Sequence, residues 1–329
     1  MRYLRNTSTD PYFNMAFDEY ALEQLPLDDP LFFLWQNRPS VIVGLNQDVY
    51  GEVDMDYLRQ HGIALVRRVT GGGAVYHDLG NLNYTIVGRT TQLEHDYPEY
   101  TRHMLYALQS LGVQAELSGR NDILVDGRKV SGYAKRVYKD RLMVHGTLMF
   151  DVDIARLTAA LTPSTEKLSS KGIASVRSRV ANLKDYLPHL ADIQAFQQAL
   201  ERHLSCNYTD TEYLLTEAQR QAITTLGQSK FASPEWIYNR RRPTTQHYSA
   251  RLACGTIEVQ LETSGTHLTA CRFYGDFLGN LPTTDIEQKL IGCEYTPSAL
   301  AHRLEQCNIA HYFDGVTLND LVQLLYPNT

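Results

Sequence analysis

Cysteine is scarce in this sequence and comes late. Only five of the 329 residues are cysteine (Cys206, Cys254, Cys271, Cys293 and Cys307); none lies in the first 205, and no C-x-x-C pair occurs. An odd, scattered set of this kind argues against a disulfide framework and against a clustered zinc site. No apolar run approaches the roughly 20 residues of a membrane span. The N-terminus lacks the apolar core of a signal peptide, so a reducing cytoplasm is the expected compartment and no membrane is expected as a partner. An excess of positive charge is missing too. The net charge is −6 and the isoelectric point is near 6.0, which argues against nucleic-acid binding and leaves the basic clusters Arg67-Arg68 and Arg240-Arg241-Arg242 to act only locally. Neither the phosphate-loop pattern G-x-x-x-x-G-K-[ST] nor G-x-G-x-x-G occurs. No internal repeat or low-complexity segment is present.

The composition that remains, 43% hydrophobic and 21% charged, is that of a globular chain with a buried core, long enough for one large domain and a smaller one. Asp10 and Pro11 suit the N-cap and first position of a helix over TDPYFNMAFDEYALEQL, with Ala16, Tyr20 and Leu22 to Leu25 facing inward. The runs LFFLWQ (31–36) and VIVGL (41–45) look like strands paired around the turn NRPS. A helix over 54–62 leads into the buried-strand pattern IALVRR (63–68), and LNYTIVG (82–88) reads as another strand. Residues 97–112 have helical periodicity and end on Gly112. Three further strand patterns follow, interrupted at hairpin spacing by Asp126-Gly127, a strong type I′ signal, and by Lys139-Asp140. Residues 151–205 are mainly helical. Periodicity is lost near 227–243, where a boundary divides a domain over 1–243 from a second over 246–329, read as strands finished by two short helices. Strands joined by tight turns and interleaved with helices predict an α+β fold with a mixed, largely antiparallel sheet.

The stretch RRVTGGGAVYHDLG (67–80) raises the question of function. Three consecutive glycines are wasteful inside a strand or helix, but they let a backbone come close to a ligand. With Arg68 before the loop and His77-Asp78 after it, exposed N–H groups beside a guanidinium make an anion site. In GRNDILVDGRKVSG (119–132), Asp122 and Lys129 flank the Asp126-Gly127 turn, so a hairpin brings them near each other. Asp122 is then placed to bind Mg²⁺ together with phosphate oxygens, and Lys129 to touch the same phosphate. Taken alone, each also reads as a turn or solvated strand residue. His145 in VHGTLMF reads as a satisfied sheet histidine and Trp35 as core. Residues 168–183 are either a solvated basic helix start or a loop that closes over an anion. Ser131 has no histidine–acid partner at a known spacing.

Four blocks in register, RRVTGGGAVYHDLGN, GRNDILVDGRKVSGYAKR, HGTLMF and KGIASVRSRVANL, resemble the lipoate–protein ligase A family. The match begins at DPYFNMAFDE, continues to FASPEW, and so covers nearly the whole chain. The resemblance implies a catalytic fold shared with biotin ligases, a mixed sheet flanked by helices, plus a small α+β C-terminal accessory domain. It implies two half-reactions: lipoate and MgATP form lipoyl-adenylate and pyrophosphate, then a lysine of an acceptor protein takes the lipoyl group and AMP leaves. The acceptors it implies are lipoyl domains of 2-oxoacid dehydrogenase E2 subunits, the glycine-cleavage H protein, or both. By resemblance, Lys129 is the catalytic lysine, touching both the lipoyl carboxyl group and the phosphate. Arg68, Gly71, Gly72, Gly73, Ala74, Val75 and Tyr76 form the ATP and lipoyl-adenylate cradle, with His77, Asn81 and His145 at further pocket positions. Trp35 is a wall of the lipoyl tunnel, and Arg68, His77 and Lys129 also face lipoate. Lys171, Gly172, Ser175, Val176 and Arg177 belong to the adenylate-covering loop. The segment around Pro234 and Asn239, with its three arginines, departs from the family pattern at the linker.

These roles make physical sense. Attack of a carboxylate on a triphosphate joins two anions, and cations offset the repulsion through charge-assisted hydrogen bonds worth roughly 1.5–3 kcal/mol each. The glycines let the backbone approach the adenylate beside Arg68. Other readings share the fold. An octanoyl or lipoyl transferase working through a cysteine thioester lacks a cysteine before Cys206. A lipoyltransferase accepting only preformed lipoyl-adenylate, a biotin ligase and a non-enzymatic acceptor-binding scaffold are the remaining alternatives.

Overall fold

The computed structural model describes residues 1–90, 93–119, 121–161, 179–205, 212–238 and 246–327. The strands in chain order are β1 (Arg2–Tyr3), β2 (Leu31–Trp35), β3 (Ser40–Val43), β4 (Ala64–Arg67), β5 (Val75–His77), β6 (Asn81–Arg89), β7 (Ala115–Ser118), β8 (Asp122–Val125), β9 (Arg128–Tyr138), β10 (Arg141–Met149), β11 (Gln246–Leu252), β12 (Gly255–Ser264) and β13 (His267–Gly275). Seven form one sheet in the order β1-β2-β6-β10-β9-β8-β7, parallel at β1–β2 and antiparallel elsewhere. A small sheet β4-β3-β5 stands beside it, with β3 parallel to β4. The architecture is therefore α+β with mixed sheets.

Alternation along the strands sorts the core into two layers. Phe32, Leu34, Tyr84, Ile86 and Val144 face helices 93–110 and 193–205, where Met104, Leu108 and Phe196 meet them. Leu31, Phe33, Trp35, Val87 and Met143 face the other way, onto helix α1 (Pro11–Glu23) and Val66 of the small sheet. Asp10 caps α1 by accepting from the Tyr12 N–H, and Pro11 takes the first turn. Phe17 of α1 stacks on Phe33 at 4.6 Å between ring centroids, and burying a ring of this size stabilises by about 1.5–3 kcal/mol.

The expected hairpin between 31–36 and 41–45 does not form: β2 joins the large sheet and β3 the small one. Both strands are buried throughout, so neither has a polar face to dictate its partner. Buried Asn37, bonded to Asn14 and His77, turns the chain from one sheet to the other. The Asp126-Gly127 turn is as expected, with φ of +50° and +72°, the pair of positive angles that type I′ requires.

Residues 246–327 build their own core around β11-β12-β13, with Ile257, Val259, Phe273, Leu300 and Leu321. Four helices, Thr284–Leu290, Pro297–Glu305, Ile309–Tyr312 and Leu318–Leu325, follow the strands rather than the two expected. The two shortest, Thr284–Leu290 and Ile309–Tyr312, carry too few turns for periodicity to separate them from loop. This segment touches the rest of the chain at the glycine loop: the Gly72 N–H donates to the Phe277 carbonyl at 3.1 Å, and the Gly275 N–H to that of Asn46 at 3.0 Å. A Lys135–Asp314 ion pair at 3.1 Å lies nearby.

Candidate active site

Strand β4 ends on two arginines whose side chains do different work. Arg67 is fully buried and donates to the carbonyls of Gly44, Gln47 and Ile237 at 2.7–2.8 Å, while the Trp236 indole N–H donates to the Arg67 carbonyl. FASPEW is thus a clamp on β4. Arg68 turns to a cavity between the two sheets. Its Nε donates to Thr70 Oγ1 at 3.0 Å, and its Nη2 to the carbonyls of Gly71 and Gly73 at 2.6 and 2.9 Å. Burial lowers its pKa to about 10, so the guanidinium stays charged at neutral pH. Gly72 adopts φ +89°. The loop lies so close to Gly44 that a Cβ there would stand 1.9 Å from the Gly72 carbonyl oxygen.

From the loop onward, Gly72, Gly73, Ala74, Val75 and His77 line the cavity, and Gly71 does not. The side chain of Tyr76 packs on the opposite face of β5, with Val41 and Val43. Asn81 is buried and donates to Asn83 Oδ1 at 2.8 Å, and it is Asn83 that lines the cavity. A row of residues crosses the large sheet beneath it. Trp35 pairs with Asn83, Asn83 with Thr147, and the Gly132 N–H donates to Thr147 Oγ1 at 3.2 Å. Lys129 reaches over Gly132: a Cβ there would lie 2.8 Å from Lys129 Nζ. Across the β8–β9 hairpin the ammonium meets Asp122 Oδ1 at 2.7 Å, both side chains being about one-third exposed. The hairpin register shifts between Ile123 and Leu124, which sets Lys129 diagonally to Asp122. Lys129 is also held by its backbone: its N–H donates to the Arg179 carbonyl at 2.7 Å, and its carbonyl accepts from Ala181 at 3.0 Å. Lys171, Gly172, Ser175, Val176 and Arg177 lie outside the described residues.

Sequence reasoning missed the acid that organises this pocket. Asp18 of α1 is 1% exposed and accepts from His145 Nδ1 and Thr85 Oγ1, both at 2.7 Å. Trp35 Nε1 donates to Thr85 Oγ1 at 2.9 Å, and His145 Nε2 meets Thr70 Oγ1 at 2.7 Å. One carboxylate therefore ties Trp35 on one side to Arg68 on the other. Only a polar residue interrupting the inward face of α1 hinted at this. The cavity lining combines the Lys129 ammonium and the Arg68 guanidinium with the apolar side chains of Met15, Trp35, Ile42 and Val75, a set suited to an acid with an apolar tail.

Residues 10–205 match the family model described as the lipoyl protein ligase A/B catalytic domain, and residues 243–325 match that of the bacterial lipoate protein ligase C-terminus. The chain belongs to the lipoate–protein ligase family. It is similar to lipoate-protein ligase LplJ of Bacillus subtilis, 39% identical over 96% of this chain and 97% of the relative. It is also similar to lipoate–protein ligase 1 of Staphylococcus aureus, 36% identical over 99% and 100%. Among solved structures, P. falciparum LipL1 in complex with lipoate matches with a TM-score of 0.76 at 22% identity, over 93% of this chain and 94% of that one, a likeness of fold. A lipoate-protein ligase A bound with ATP matches at 0.62 and 30% identity, over 72% and 98%.

Proposed function

We propose that this chain is an ATP-dependent lipoate–protein ligase: it converts lipoate and ATP to lipoyl-adenylate and pyrophosphate, then passes the lipoyl group to a lysine of an acceptor domain. The observation that carries this is the placement of Lys129 Nζ over Gly132 at one end of a cavity whose other end is Trp35. In the first step the lipoate carboxylate attacks the α-phosphorus, and Lys129 and Arg68 offset the repulsion between the two anions. In the second, an acceptor amine attacks the acyl carbon, Lys129 stabilises the oxygen that gains charge, and AMP leaves. The cavity walls shield the adenylate from water.

Mg²⁺ would be shared between Asp122 and substrate phosphates, where it would neutralise phosphate charge. A single carboxylate suits that ion, which keeps few protein ligands, and among the described residues no group of three acidic, histidine or cysteine side chains forms a separate metal site. For Asp122 to serve so, its ion pair with Lys129 must open, freeing the ammonium for the carboxyl group. Residues 1–243 are taken as the catalytic unit and 246–329 as the accessory unit. The acceptors are E2 lipoyl domains and the glycine-cleavage H protein; a Thermoplasma acidophilum neighbour, 30% identical, is described together with its E2 lipoyl domain. No described helix is long and apolar enough to cross a membrane, and the cytoplasm is the proposed compartment. No cysteine lines the cavity among the described residues, which disfavours a thioester route. Incubation with ATP, Mg²⁺, lipoate and an E2 lipoyl domain tests the reading. One lipoyl group should be added to the acceptor, as read by mass, only when ATP is present. Transfer from preformed lipoyl-adenylate alone would replace the ligase by a lipoyltransferase.

A further inference from the structure

His77 carries a proton that the protein does not use, and its position can be worked out from fixed ends. Asn14 Nδ2 faces the carbonyls of Ser8 and Gln36, which only accept, and it also donates to Asn37 Oδ1 at 2.8 Å. The other end of the Asn37 amide, Nδ2, therefore donates to His77 Nδ1 at 3.1 Å. An imidazole that accepts at Nδ1 holds its proton on Nε2. His77 Nε2 is buried and has no hydrogen-bond partner among the described residues. Burial, with Arg68 and His145 nearby, lowers its pKa to about 3, so the ring is neutral at working pH. A buried N–H without a partner is rare enough to require an explanation.

Its place in the cavity supplies one. The row from Gly132 through Thr147 and Asn83 to Trp35 spans three strand spacings, roughly 14 Å, with Lys129 Nζ above its start. A carboxylate held at Lys129 extends its tail along this row toward Trp35. His77 lines the same cavity and stands edge-on to Trp35, with ring centroids 6.0 Å apart. Around them the wall is Met15, Ile42 and Val75.

We infer that the His77 Nε2–H is a selectivity donor for the sulfur end of the substrate, so that the site prefers a cyclic-disulfide acid over a saturated acid of the same length. The inference rests on the ligase reading above. Divalent sulfur is a weak acceptor and packs well against aromatic edges, whereas a methylene in its place leaves the N–H buried and unpaired. Because the acceptor is weak, the preference should be modest, on the order of 3- to 10-fold in kcat/KM.

The test measures pyrophosphate exchange with lipoate, octanoate and 5-cyclopentylpentanoate, which keeps the ring shape without sulfur. The wild-type protein should favour lipoate over the cyclopentyl acid by that factor. His77→Leu should bring the ratio of lipoate to the cyclopentyl acid close to one, with octanoate reporting the separate effect of ring shape. His77→Gln, whose Oε1 can accept from Asn37 while Nε2 donates to the cavity, should retain the preference. Each comparison is a ratio within one preparation, so partial misfolding does not distort it, and the wild-type arm needs no variant. Equal use of lipoate and the cyclopentyl acid, or an unchanged ratio in His77→Leu, overturns the inference and leaves the ligase reading standing. Activation of none of the three acids removes both.

Discussion

Asp18 and His77 are both buried and polar, but Asp18 serves as an acceptor for its neighbours whereas burial holds His77 neutral. Asp18 is the acceptor on which two donor chains converge. Removing it in Asp18→Ala strands the His145 and Thr85 donors in the core, a loss of about 3 kcal/mol on the scale of broken buried pairs. Urea denaturation should show this as a lower midpoint at unchanged slope; a change below about 0.5 kcal/mol would mean that the chain is not cooperative with folding. His77 works through protons. Its folded pKa near 3 lies below the ordinary 6.5, so between those values the unfolded chain binds the extra proton. The stability due to neutral His77 is complete above about pH 6.5 and falls as the pH drops toward 3, by at most roughly 1.4 kcal/mol per unit. Denaturation at pH 7 and pH 5 should show a smaller difference for His77→Gln than for the wild type. Equal differences would place the acid sensitivity elsewhere.

At the scale of elements, two glycines on neighbouring strands separate function from stability. In β9 a Cβ at Gly132 would meet Lys129 Nζ and Cε at 2.8 and 2.9 Å, the end of a flexible chain. Gly132→Ala should fold with nearly wild-type stability yet lose activity at least about tenfold, because the ammonium is pushed off its position. In β10 a Cβ at Gly146 would meet the buried Tyr84 ring at 2.6–2.7 Å, and Gly146→Ala should instead cost about 1–3 kcal/mol of stability. Thermal denaturation beside an exchange assay checks both; a Gly132→Ala protein with full activity would contradict the placement of Lys129. The same strands show how far the sequence can be read. The Asp126-Gly127 turn, the Asp10 cap and the approach of Asp122 to Lys129 were legible because turn and cap chemistry is local. The partners of β2 and β3 were not, since continuous burial erases the alternation that sets register. Asp18 was hidden for a related reason. Helical periodicity expects apolar side chains on the inward face of α1, and nothing local reveals that Thr85 and His145, distant in sequence, supply its donors.

For the whole molecule, the contact between the glycine loop and residues 246–327 is the feature the sequence could not foretell. A Cβ on Gly71 would stand 2.5 Å from the Phe277 carbonyl oxygen, and both sides of that contact are backbone. Gly71→Ala should therefore loosen the C-terminal segment from the loop without straining the loop itself. Small-angle scattering should show a larger radius of gyration than the wild type, and an identical profile would mean that the contact yields locally. The triple glycine thus serves two masters, Arg68 from within and Phe277 from outside. The chemistry at Lys129 can be read from lipoate-dependent exchange of labelled pyrophosphate into ATP without any acceptor. Robust exchange by the wild-type protein and its loss in Lys129→Ala are the expected results. No exchange by the wild type, or undiminished exchange in Lys129→Ala, would contradict that chemistry.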